Sequence, residues 1–186
     1  MMDVKPSTSL AEFFHEAVCS ALRNQRVDTS ELTEFYLVNL LAEFSTSTLG
    51  DEPLALRMGA AATASPDERA RTLRNVGDHS LYVSGFFSDS LQRSLVDVEY
   101  YISIGGTAYS QLARMPVRGT SNEVFVELAE KFARYVDVLA EVSEGSALGS
   151  NLSIVQLYER WLRTGSEWIA RRLRARGVLP PGGDAS

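Results

Sequence analysis

A chain of 186 residues, 45% of them hydrophobic, has enough apolar material for one buried core and falls short of two. Its formal net charge of −6 removes the long-range attraction that draws basic proteins to nucleic acid or anionic lipid. The single cysteine, Cys19, excludes an intrachain disulfide and a multi-cysteine zinc site, and fits a reducing cytoplasm.

Residues 1–8 form an N-terminal arm without the layout of a signal peptide, and no uninterrupted apolar run reaches the ~18 residues of a membrane span. Helix starts then punctuate the chain. Ser9 with Glu12 opens a first helix whose buried stripe is Leu10, Phe13, Phe14, Ala17, Val18, Ala21 and Leu22, which places it on the outside of a bundle. His15 falls about 110° from the centre of that stripe, a rim position. Cys19 lies on the polar side with no histidine in line, a poor setting for a nucleophile.

Asp28 with Glu31 starts a second helix over 29–44. Phe35, Tyr36, Leu37, Val38, Leu40 and Leu41 make it apolar all round and therefore central. Pro53 begins a short helix to residue 64, and Ser65, Pro66 and Glu68 begin another to residue 76. Gly77 and Asp78 then read as a break and a new cap, with His79 in the first turn of a helix to residue 87. With Tyr82 one turn later, Asp78, His79 and Tyr82 are expected to form a cluster able to hydrogen-bond or to act in proton transfer.

Asp89 with Gln92 opens a helix over 89–115 with Leu91, Leu95, Val98, Ile102, Tyr109 and Leu112 on one stripe, straddled by Gly105 and Gly106. Two glycines inside a helix cost about 1 kcal/mol each against alanine, so a close neighbour is expected to offset them. Thr120 with Glu123 starts a helix over 121–142 that carries Val124, Leu128, Phe132, Tyr135, Leu139 and Val142. Ser153 with Gln156 starts the last, with Ile154, Leu157, Tyr158, Trp161, Trp168 and Ile169. Pro180, Pro181, Gly182 and Gly183 mark residues 177–186 as a flexible tail. With no stretch of period-two alternation, the expected fold is an all-α, single-domain bundle of seven or eight helices over residues 9–176, without significant sheet.

The glycine pair is the sequence's main candidate site. The plain reading is a helix crossing, and a self-association face for a homodimer is another. The sharper reading is a pocket for a flat apolar molecule, walled by Tyr82, Phe86, Tyr101 and Tyr109 and oriented by Glu99 or His79 beside Gly105 and Gly106. Glu12 and His15 make one Glu-x-x-His pattern, but Val76 stands where His79 would need its glutamate, so a di-iron centre is incomplete and no metal site is expected. Six basic residues between Arg160 and Arg176 solvate the end of the last helix, and no nucleic-acid-binding motif accompanies them. Nucleophile elbows, phosphate loops and dinucleotide fingerprints are missing, and no catalytic residue is assigned.

Two short patterns resemble known families. His15 on the first helix, followed by the paired glycines between Tyr100 and Tyr109, resembles the layout of haem oxygenases, which implies iron ligation by His15 and a haem lying against the glycine helix. The helix at Phe35 to Phe44, followed by Asp78 and His79, resembles the helical chaperones that assist maturation of molybdenum enzymes, which implies a protein client. The expectation is a cytoplasmic, non-enzymatic binding protein that acts through a protein partner or self-association, chaperone-like in manner. The alternative is a binder or modifier of haem, another tetrapyrrole or a similar flat apolar molecule.

Overall fold

The computed structural model describes residues 6–47, 50, 52–86, 97–116, 119, 121–145, 158–159, 161–162, 165, 167–175 and 177–178. These hold eight helices and no strand: α1 (Pro6–Asn24), α2 (Glu31–Ser45), α3 (Leu54–Ala61), α4 (Pro66–Phe86), α5 (Val98–Ala113), α6 (Asn122–Glu130), α7 (Phe132–Gly145) and α8 (Glu167–Ala175). The all-α bundle expected from the periodicity is the fold observed. No helix among the described residues is long and apolar enough to cross a membrane.

Local chemistry accounts for the helix ends. Ser30, not Asp28, caps α2 by accepting from the Thr33 amide, and Ser121 caps α6 by accepting from the Glu123 amide. Asn122 closes the end of α5 by donating to the carbonyls of Ala113 and Met115. α1 stops in a left-handed cap at Arg26 (φ 53°), with the Val27 amide returning to the Leu22 carbonyl and the Arg26 amide to the Arg23 carbonyl. Gly177 (φ 82°) ends α8 in the same way, and Val178 then packs on the small cluster of Ala140 and Leu173. The sequence places its tail from residue 177; residues 179–186 lie outside the described residues, as does the Ser153 start.

Three boundaries differ from the sequence reading. α4 runs unbroken through Gly77 and Asp78, so His79 is a mid-helix residue and Asp78 caps nothing. Gly77 is required there by packing, because the Tyr109 ring lies where a Cβ would stand. The single helix expected over 121–142 is split at Lys131 (φ −108°, ψ 18°) into α6 and α7. The helix expected over 89–115 starts at Val98, after Asp97 in an extended conformation (φ −80°, ψ 157°), and residues 89–96 lie outside the described residues.

α4 is the centre of the bundle. It packs along α5 on one side and α7 on another, while α1 lies against α2 and α7, α6 closes over α5, and α3 covers the start of α4. The core joins Val18, Leu37, Leu41, Leu73, Leu81, Tyr109, Phe125, Leu128 and Leu139. Gly85 meets Leu139 of α7 as Gly77 meets Tyr109 of α5, so small residues on α4 let both neighbours approach its backbone.

α2 departs most from expectation. Tyr36, Leu37, Val38, Leu40 and Leu41 are buried, but Phe35 is 66% exposed and Leu32 57% exposed, so α2 is not buried all round. On α1, Phe14, Val18, Ala21 and Leu22 point inward while Phe13 is left 42% exposed.

Candidate functional site

Gly105 and Gly106 do not share one face. Successive helix positions differ by about 100°, and the neighbours reflect it. A side chain on Gly105 would collide with the Phe132 ring and with Ser80, whereas nothing lies within 4 Å of a Cβ on Gly106. The room left by Gly105 is filled from within by α7. The Ser80 hydroxyl at this crossing has no hydrogen-bond partner among the described residues, so close packing, not polar bonding, holds it.

The other residues read as pocket walls fall into separate places. His79, Tyr82 and Phe86 line the side of α4 that faces α1 and α2. There Phe44 meets His79 and Tyr82 at ring separations of 6.5 and 5.1 Å, Tyr82 stacks on Phe86 at 5.3 Å, and Phe86 meets Phe14 at 6.5 Å. Burial lowers the His79 pKa, with Arg57 adding to the effect, so the imidazole is neutral inside this aromatic ladder. Tyr109 lies on the α5 side of α4, stacked on Phe125 and tilted against Phe132. Tyr101 is half-buried over Val83 and Val98, and Glu99 is exposed. His15 is held to Cys19 and Glu34 while Gly105 lies under Phe132, so the histidine and the glycine of the haem-oxygenase likeness occupy separate neighbourhoods.

The structure assembles a different site on Asp78. The Tyr36 hydroxyl donates to Asp78 Oδ1 at 2.5 Å and the Tyr109 hydroxyl donates to the same oxygen at 2.7 Å. Arg74, one turn earlier on α4, donates from Nε to the Tyr36 hydroxyl at 3.1 Å and lies 3.8 Å from Asp78 Oδ2. Its guanidinium also sits over the Tyr36 ring at 5.2 Å from the centroid. Helices α2, α4 and α5 thus each contribute one part of a network around a single carboxyl.

Burial pushes the Asp78 pKa up to about 6, against the opposing pull of the two tyrosine hydroxyls and Arg74. Burial, reinforced by the Asp78 charge, raises both Tyr36 and Tyr109, so each stays protonated and donates. The carboxyl is the foot of a groove of about 380 Å³ between α2, α4 and the start of α6. Leu32 and Phe35 form its apolar lip, and Asn39, Glu43, Ser121 and Val124 line the rest.

A second polar knot sets the position of α2 along this groove. Glu127 of α6 accepts from the Ser30 hydroxyl at 2.7 Å, the Thr33 hydroxyl at 2.6 Å and the Ser30 amide at 3.2 Å, and pairs with Lys131 at 3.0 Å. Burial opposes the charge, but these donors outweigh it and hold the Glu127 pKa down at about 2. The carboxylate also faces the positive end of α2.

The sequence reading missed this site, although the four-residue spacing of Arg74 and Asp78 was a readable sign of a pair. Tyr36 and Tyr109 come from 42 and 31 residues away, beyond any local pattern. Comparison with protein-family models, curated proteins and solved structures finds no match to this chain.

Proposed function

We propose that this chain is a non-enzymatic binding protein that docks an amphipathic, basic segment of a protein partner in the groove over Asp78. The observation that carries this is the lip: Leu32 and Phe35 are held out into solvent directly beside a polar floor whose hydrogen bonds are already set. Burying the exposed part of both side chains against a partner is worth about 2–3 kcal/mol. A floor that needs no rearrangement spares the ordering cost of binding.

Charge favours a basic occupant. Glu43 and Asp78 line the groove, and its one cation among the described residues, Arg74, is already engaged with Tyr36 and Asp78. Asp78 ionises reluctantly because burial outweighs its partners, and a lysine or arginine entering the groove would supply the missing compensation. The manner is chaperone-like: apolar anchors on the lip, a cation over the floor.

Panning a random peptide display library on the full chain tests the reading. Enrichment of sequences with paired apolar residues flanked by lysine or arginine, and loss of their binding to Phe35→Glu, is the expected result. Enrichment of acidic sequences, or binding that Phe35→Glu leaves intact, would overturn it. Concentration-dependent dimerisation abolished by Phe35→Glu would instead make a second copy the occupant.

A further inference from the structure

On the opposite flank of α2 from its α4 contacts, three side chains with metal-binding chemistry meet at the α1–α2 interface. His15 Nε2 lies 3.7 Å from Cys19 Sγ, Cys19 Sγ lies 3.1 Å from Glu34 Oε1, and His15 Nε2 lies 3.4 Å from the same oxygen. The sequence reading found no histidine in line with Cys19; the four-residue step from His15 in fact sets the two on one helix face. Glu34, reached only across the helix pair, completes the triangle.

We propose that His15, Cys19 and Glu34 bind a thiophilic divalent transition-metal ion, with zinc(II) the best match. Tetrahedral zinc bonded to sulfur, imidazole nitrogen and carboxylate oxygen requires edges of about 3.5 Å for S···N and S···O and about 3.3 Å for N···O. The three observed separations lie within about 0.4 Å of that face, so an ion enters with small side-chain adjustments. The donor set itself is selective: a thiolate and an imidazole favour zinc, cobalt or copper over magnesium or calcium.

On binding, the Cys19 thiol gives its proton to solvent and coordinates as thiolate, His15 coordinates through neutral Nε2, and Glu34 supplies one oxygen. The ion's two positive charges are balanced by the thiolate and the carboxylate. His15 is 61% exposed and Glu34 29%, so the fourth coordination position faces water and the site is open, not sealed. Arg23, the nearest cation along α1, is turned to the Cys19 carbonyl at 3.4 Å. The ion would tie α1 to α2 one residue before Phe35, but the site stands whether or not the groove binds a partner.

The full chain, stripped with a chelator, is titrated with cobalt(II) and then with zinc(II). One equivalent of cobalt is expected to produce a thiolate-to-metal charge-transfer band in the near ultraviolet and the visible bands of a four-coordinate ion, both displaced by zinc. Cys19→Ser should remove the charge-transfer band. His15→Ala and Glu34→Gln should each weaken zinc affinity about tenfold or more, since even groups that only support a ligand have effects of that size. Wild-type protein without the charge-transfer band overturns the proposal. So does a band that survives both His15→Ala and Glu34→Gln unchanged, which would mean an adventitious ion on the thiol. Circular dichroism of each variant separates loss of binding from loss of fold, and the wild-type spectrum decides on its own if a variant does not fold.

Discussion

At Gly105 a missing side chain admits the Phe132 ring and the contact vanishes from solvent, whereas at Phe35 the ring itself is left 66% exposed beside a fully assembled polar floor. The first region is a gap that the chain closes with its own residues. The second is a gap that it keeps, over a floor of Asp78, Tyr36 and Arg74 that are already bonded to one another. A glycine in a helix therefore marks a close approach without saying by what, and an exposed aromatic next to a rigid floor is the better sign of a binding surface.

The contrast can be broken most forcefully at Gly105. Gly105→Val drives a branched side chain into Phe132 and Ser80, and overpacking is expected to cost about 2–3 kcal/mol, well beyond the few tenths that valine gains over glycine in helix propensity. Urea denaturation measures it, and pairing the change with Phe132→Leu should recover part of the loss. A loss below about 1 kcal/mol would mean that the crossing yields and the notch is not tightly filled.

The groove floor has a pH signature. Asp78 is a carboxyl whose folded pKa, about 6, exceeds its ordinary value of 3.8, so the folded state holds its proton longer than the unfolded chain does. Its contribution is complete below about pH 4 and is lost as pH rises through about 6, a fall of roughly 2–3 kcal/mol. Asp78→Asn should flatten the urea midpoint between pH 4 and 6.5, and Asn Oδ1 can still accept from both tyrosines. Glu127 works in the other direction: its depressed pKa stabilises the fold above about pH 4.5 and that share is lost toward pH 2, so the two carboxyls are separable by pH. An unchanged profile in Asp78→Asn would place the titration elsewhere.

Smaller effects sharpen the comparison. Gly106→Ala adds a methyl group where nothing lies within 4 Å and gains helix propensity, so about 0.5–1 kcal/mol of added stability is expected, opposite in sign to any change at Gly105. Phe35→Glu, the substitution that should abolish docking, is expected to change the unfolding free energy least, leaving it within about 0.5 kcal/mol of wild type, because the ring has little buried area to lose. A large destabilisation by Phe35→Glu would show that the ring is part of the core and would remove the lip from the argument.

What could be read from residues alone was what neighbours in sequence decide. The stripe of Phe14, Val18, Ala21 and Leu22, the start at Ser65 and Pro66, and the absence of period-two alternation depend on interactions within one helical turn, so helix content and fold class were legible before any packing was known. Tertiary structure decided which face of a helix turns outward when every face is apolar. α2 gave Phe35 and Leu37 equal claim to the interior, and only the positions of α1, α4 and α6 chose between them. The same holds for Gly77, whose local signal as a helix breaker is overridden because Tyr109 needs its space. It holds for the Asp78 network and for Glu34 beside His15 and Cys19, where the reacting groups come from different helices. Local periodicity fixes directions around one axis, and a site is made only when several axes are set against one another.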